Sequence, residues 1–222
     1  MSHGAVGLAV TTFPSVKSTQ GFQRYVLWTE LIGRLTRFYE VQQKEDAGLW
    51  SPTLYRDANE GEKVERRAEN VREMCCLVLE FDDVARGNLP LCIKDYEHVW
   101  HSTFSHIGAD RCYTRYVFPF ASAVPAFKWG PYHQVLGSIL GGDFYDKSCS
   151  DTSRIYYWPS AHPANKRMAY HHPGALLDPA DWDKEVEQWV KEHRQGALFR
   201  DEQRTNESGA VLFHERSQFG EV

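Results

Sequence analysis

At 222 residues with a formal net charge of −5, the chain is long enough for one sizeable domain, and it lacks the basic surplus of a protein that simply coats nucleic acid. Hydrophobic residues at 42% and charged residues at 25% are ordinary for a globular protein and exclude a disordered or fibrous class. Five cysteines without a CxxC pair exclude a Cys-rich zinc ribbon. The odd cysteine count and the lack of a signal-like apolar core point to a soluble protein of the reducing cytoplasm.

In chain order, Val6–Phe13 reads as a strand. From about Thr19 to Val41, Tyr25, Trp28, Leu31, Ile32, Leu35 and Phe38 recur at three and four, which predicts a long amphipathic helix. Residues 42–73 are polar, carry Gly48, Pro52 and Gly61, and read as irregular surface. Cys76–Phe81 is apolar except for Glu80 and suits a strand buried on both faces. Pro90–Trp100 reads as a helix, and Tyr113–Phe120 as an aromatic strand. Pro125–Leu140 reads as a helix stopped at Gly141-Gly142, and Arg154–Trp158 as a strand closed by Pro159. Asp178 and Pro179 supply a cap and a first-turn proline for a helix to about His193, with Trp182, Val186, Trp189 and Val190 as its packing stripe. Residues 1–200 are expected to form the domain and 201–222 a polar tail or linker. Strands mixed with helices, without one parallel series, predict an α+β fold around a largely antiparallel sheet.

Four clusters carry chemistry. In Leu77–Asp83, strand alternation sends Glu80 and Asp82 to one face, where two carboxylates repel unless a cation such as Mg²⁺ or Mn²⁺ lies between them. Asp83 points the other way, as a turn or cap residue. Ser102–His106 offers hydroxyls and an imidazole to phosphate oxygens. Arg115 is the one charge inside an aromatic strand and needs an anion, either a phosphate or a carboxylate. Asp146–His162 adds Asp146, Asp151, Arg154 and Ser160.

This ordered set resembles the archaeo-eukaryotic primase superfamily, the primase-polymerases of plasmids, phages and some repair systems, over about residues 70–165. Its paired acids are similar to LVLEFDD, with Glu80 standing where the first Asp is commoner. Its TxSH-like patch resembles Thr103–His106, its basic strand Arg115–Pro119, and its closing segment Asp146 followed by Arg154–Ser160. The resemblance implies an RRM-like, largely antiparallel sheet with flanking helices beside a smaller α/β unit. It also implies a template-dependent nucleotidyltransferase, a DNA primase or polymerase of replication or repair. Glu80, Asp82 and Asp146 (or Asp151 as third acid) then hold two Mg²⁺ or Mn²⁺ ions. Ser105, His106, Arg115, Arg154 and Ser160 bind the nucleotide, with His106 or Arg115 filling the family's Ser-x-His role. Single-stranded DNA and nucleoside triphosphates are the implied partners, with a helicase domain or protein beside them and no membrane. His162, His171 and His172 lack cysteines at zinc spacing and read as surface or phosphate-proximal residues, so no zinc is expected. Adjacency of His171 and His172 also argues against a rolling-circle initiator endonuclease, which needs paired histidines one residue apart. A non-catalytic RRM-like nucleic-acid binding module is the other alternative.

Overall fold

The computed structural model describes residues 6–55, 61–85, 91–106 and 111–193. The chain divides into two compact units, Met1–Trp182 and Asp183–Val222. Within the second, residues 183–193 are helical, and Trp189 stacks on His193 with ring centroids 3.8 Å apart. The expected tail over 201–222 lies outside the described residues.

The first unit holds two five-stranded sheets. The N-terminal sheet has the order β10-β4-β1-β2-β6, from β1 (Gly7–Phe13), β2 (Gln20–Leu27), β4 (Leu49–Ser51), β6 (Lys63–Glu65) and β10 (Tyr156–Tyr157). The second sheet has the order β12-β8-β9-β7-β5, from β5 (Thr53–Tyr55), β7 (Val71–Ala85), β8 (His98–Ser102), β9 (Arg111–Pro125) and β12 (Ala169–His172). Both are antiparallel throughout, and one short parallel pair joins β3 (Tyr39–Glu40) to β11 (Ser160–Ala161). The α+β class with largely antiparallel pairing is therefore as the sequence predicts.

Three expectations need correction. The long helix from Thr19 to Val41 is a strand followed by a short helix, β2 and then α1 (Trp28–Leu35). Gly21 and Gln23 are buried in β2 between exposed Gln20, Phe22 and Arg24, Val26 is buried nearer its end, and Phe22–Leu27 pair with β1. The helical stripe survives only as Trp28, Leu31 and Leu35, all buried. Residues 42–73 are not all surface, because Leu49, Trp50 and Tyr55 lie in the core. Pro52 sits where the chain leaves the N-terminal sheet at β4 and enters the second at β5. A ladder N–H is not missed at that crossing, so proline is tolerated. Finally, Pro90–Trp100 is a 3₁₀ turn over Leu91–Asp95 followed by β8, not one helix.

Other elements follow the reading, some with shifted ends. β7 and β9 each extend to fifteen residues, and of Arg154–Trp158 only Tyr156–Tyr157 is strand. After a 3₁₀ turn, α2 (Trp129–Gly141) ends at Gly142, whose φ of 61° is the left-handed region that glycine accepts. Asp178 Oδ1 accepts the Ala180 N–H at 3.1 Å, as a cap should.

The second sheet is buried on both faces, which is why Cys76–Phe81 reads as a continuous apolar run. Cys76, Val78, Val99 and Val117 join Leu8, Val10, Trp28, Leu31 and Trp50 in one core cluster beneath the N-terminal sheet and α1. The opposite side of β7 is in contact with α2. Register places Val78, Val117 and Val99 in one row across β7, β9 and β8. Two residues further, on the same face, the row is Glu80, Arg115 and His101. An apolar sheet face thus turns polar within one pleat repeat, and the cavity opens there.

Candidate active site

Glu80 is the electrostatic centre of that row. It faces Arg115 directly across the ladder, whose Nε donates to Glu80 Oε1 at 3.0 Å and whose Nη2 donates to the same oxygen. Arg115 Nη1 donates to the Tyr157 carbonyl at 2.7 Å, so the whole fork is engaged. Arg154 Nη2 lies 3.3 Å from both Glu80 Oε2 and Asp146 Oδ2. Burial alone would raise the Glu80 carboxyl, but Arg115 and then Arg154 outweigh it and hold the group at about 2. Replacing Arg115 by Met strands a buried carboxylate, and the expected cost is about 3–5 kcal/mol in urea unfolding. A loss below about 1 kcal/mol would show the pair to be dispensable.

Asp146 is brought to Glu80 by its backbone, since its N–H donates to the Glu80 carbonyl at 2.8 Å. Its side chain caps the following 3₁₀ turn, accepting from Ser148 N–H at 2.8 Å and Ser148 Oγ at 2.6 Å. Cys149 completes the group: donor atoms of Glu80, Asp146 and Cys149 lie within 4.8 Å of one another. Burial, with Glu80 next in effect, pushes the Cys149 thiol up to about 12. As a neutral S–H it donates to Glu80 Oε2 at 3.6 Å.

Asp82 is exposed and lines the same cavity as Glu80, but lies outside that tight group. Its carboxyl is raised, first by desolvation and then by Glu80 and Asp146. The β7–β9 register shifts between Phe81 and Val84, so Asp82 stands at a bulge. Bulges re-aim side chains beside functional sites. The Asp83 side chain, read as a turn or cap group, lies outside the described residues.

One cavity gathers these groups. Glu80, Asp82, His101, Arg115 and Tyr113 form its sheet side, and Thr103, Phe104 and Ser105 continue from β8. Lys44, Arg154, Tyr157, Trp158, Pro159 and Ser160 supply the rest of the lining. Lys44 Nζ lies 5.1 Å from the Tyr157 ring centroid, a cation–π arrangement within the wall.

A profile of the VapE N-terminal domain matches residues 59–194, more than half of the chain. The chain belongs to the VapE N-terminal domain family. The match contains the acids, the Thr103–Ser105 segment, both arginines and Ser160, whereas Lys44 lies before it. Among solved structures, the AEP domain of the cyanophage S-2L primase-polymerase is similar at 12% identity, over 83% of this chain and 88% of that one, with a TM-score of 0.42. No curated protein matches.

In this VapE-type domain, the sequence-predicted residues divide as follows. Glu80, Asp82, Ser105, Arg115, Arg154 and Ser160 all line the cavity. Asp146 is outside the lining and tied to Glu80 through its N–H, while the other candidate third acid, Asp151, is exposed and caps its own turn through Ser153 N–H at 2.9 Å. His106 is buried, with its Nδ1 accepting from Tyr113 N–H at 3.4 Å, whereas Arg115 reaches the cavity. His171 and His172 turn to different partners, Glu97 Oε1 at 3.1 Å and the Lys94 carbonyl at 2.7 Å. His162 Nδ1 accepts from Ala164 N–H at 3.2 Å. Sequence reasoning misses His101, Lys44, Tyr113, Tyr157 and Cys149. His101 is hidden when its strand is read as helix, although alternation of His98, Trp100 and Ser102 against Val99 and His101 is a usable signal. No helix among the described residues is long and apolar enough to cross a membrane.

Proposed function

We propose that the chain is a template-dependent nucleotidyltransferase, a DNA primase or DNA polymerase that acts on single-stranded DNA in replication or repair. The observation that carries this reading is the meeting of acids and guanidiniums at one cavity: Glu80 and Asp82 line it with Arg115 and Arg154, Glu80 is paired with both arginines, and Asp146, outside that lining, shares Arg154 with Glu80. An enzyme joining nucleotides needs acids to gather cations and fixed cations to meet a triphosphate, side by side. Membership of the VapE family and the ordered motifs over residues 70–165 support the same reading.

The donor set fits Mg²⁺ or Mn²⁺. Three carboxylates supply hard oxygen ligands, and the Asp82 carboxyl is raised first by desolvation and then by Glu80 and Asp146, a like-charge part that a divalent cation relieves. Glu80, Asp82 and Asp146 would hold the ions, which when bound lower the pKa of an attacking 3′-hydroxyl and stabilise a departing pyrophosphate.

The chain's own side chains do the rest. Glu80 has both arginines bound to it, so gathering a cation requires Arg115 and Arg154 to give up part of their contact with it. A triphosphate supplies those guanidiniums with replacement acceptors, which makes cation and nucleotide binding mutually reinforcing. Ser105 and Ser160 add neutral hydrogen-bonding groups at the rim and the floor. Lys44 and Tyr157 provide a charged and stacking surface for a base or backbone.

The test is incorporation of labelled nucleotides by the purified chain on primed and unprimed single-stranded DNA, with Mg²⁺ and Mn²⁺ supplied separately. Metal-dependent extension is expected, and the unprimed reaction decides between primase and polymerase. A folded protein that binds DNA yet makes no product in any condition would favour the non-catalytic binding module.

A further inference from the structure

Two residues of the cavity lining each hold a buried polar atom without a hydrogen-bond partner, His101 at Nε2 and Ser160 at Oγ. The residues are 1% and 2% exposed, so bulk water does not satisfy either atom. A buried polar group left unpaired costs roughly 1–3 kcal/mol, and such groups in native folds call for a reason.

The chemistry at His101 is determined by its other nitrogen. Nδ1 lies 3.0 Å from the Ser102 carbonyl, which can only accept, so Nδ1 carries the hydrogen. Burial, and Arg115 directly across the ladder, keep the ring neutral. In that tautomer Nε2 is a bare acceptor. It needs a donor, and an ionised phosphate has none. Phosphate belongs instead to Arg115, beside it in the same row. Within a nucleotide the remaining donors are sugar hydroxyls and base amino groups. A base amino group differs among the four bases, and a template-directed site must accept all four. The sugar hydroxyls are common to them.

We propose that His101, with Ser160, forms a sugar-reading site, in which His101 Nε2 accepts a hydrogen bond from a hydroxyl of the nucleotide's sugar. This rests on the nucleotidyltransferase reading above, and it assigns the histidine to the sugar and not to the triphosphate. Ser160 Oγ, able to donate or accept, serves the same hydroxyl or its neighbour.

The test is equilibrium binding by calorimetry, with Mn²⁺ present, of a ribonucleoside triphosphate and its 2′-deoxy, 3′-deoxy and 2′,3′-dideoxy analogues. In the wild-type chain, removing the hydroxyl that is read should weaken binding about 5- to 50-fold, and the series shows whether it is the 2′ or the 3′ group. In His101→Phe that step should shrink to less than about twofold, and His101→Gln, which keeps an acceptor near the Nε2 position, should restore part of it. An equal step in wild type and His101→Phe, or no step in wild type, overturns the proposal while leaving the nucleotidyltransferase reading intact. Failure of the wild-type chain to bind any nucleoside triphosphate overturns both. Should His101→Phe not fold, ¹⁵N spectra of the wild-type ring decide the same question. Nε2 should read as unprotonated, and its signal should move with the hydroxyl-bearing nucleotide and not with the dideoxy analogue. A protonated Nε2 contradicts the assignment.

Discussion

Asp82→Asn should reduce nucleotide turnover by at least about 1,000-fold, while leaving the melting temperature equal to or above that of the wild type. The two halves share one cause. Desolvation first, and then the charges of Glu80 and Asp146, raise the Asp82 carboxyl in the folded chain. Removing its charge takes away a proposed metal ligand and, at neutral pH, a destabilising interaction. By the linkage sign, a carboxyl raised on folding costs stability above its unfolded value, and Asn no longer bears that cost. Arg154→Gln should behave differently, raising the nucleotide KM more than it lowers kcat, because in the proposed function the guanidinium serves the phosphates. Steady-state kinetics and a thermal melt of the same preparations check both. A less stable Asp82→Asn would mean that Asp82 holds the fold together, which its exposed position does not suggest.

The second large effect is acid lability. His98, His101 and His133 are 3%, 1% and 0% exposed, and burial lowers them from 6.5 to about 4, 3 and 4 respectively. For a base lowered on folding, the unfolded chain binds protons that the folded chain refuses, so stability falls as pH drops below the unfolded value. Each histidine contributes a slope of up to about 1.4 kcal/mol per pH unit. Together they should remove on the order of 5 kcal/mol between pH 7 and pH 5, a large share of a typical domain's stability. Glu80 adds a further loss only from about 4.5 down to about 2, because a carboxyl lowered on folding stabilises above that range. The urea midpoint should therefore decline steeply from pH 6.5 to 5. A midpoint flat to pH 4.5 would show that these imidazoles take up protons in the folded state.

Much of the site is legible in the sequence because its strands are extreme in composition. Cys76–Phe81 and Tyr113–Phe120 are apolar runs each broken by one charge, Glu80 and Arg115, and a buried strand admits such a charge only with a partner. Glu80 and Arg115 are each other's partner, directly across β7 and β9. The sequence leaves Arg115 open between phosphate and carboxylate, and in the structure it holds a carboxylate. What is not legible is set by pairing between distant segments. Gln20–Leu27 fits helix and strand patterns alike, and the hairpin with β1 decides between them. Lys44 reaches the cavity from a stretch without local periodicity, carried there by tertiary contacts such as β10 with β4. His101 depends on β8 being a strand, which its neighbours on β9 and β12 determine. The chemistry is legible one strand at a time; the cavity that assembles it is not.

The most direct test of nucleotidyl transfer at this cavity is incorporation of single labelled nucleotides on a primed template, with each of the four template bases presented in turn. Mn²⁺- or Mg²⁺-dependent addition of the complementary nucleotide is expected, at least about 100-fold more efficient than of the other three. Addition indifferent to the template base, or none by a folded chain that binds nucleotide and DNA, would contradict it.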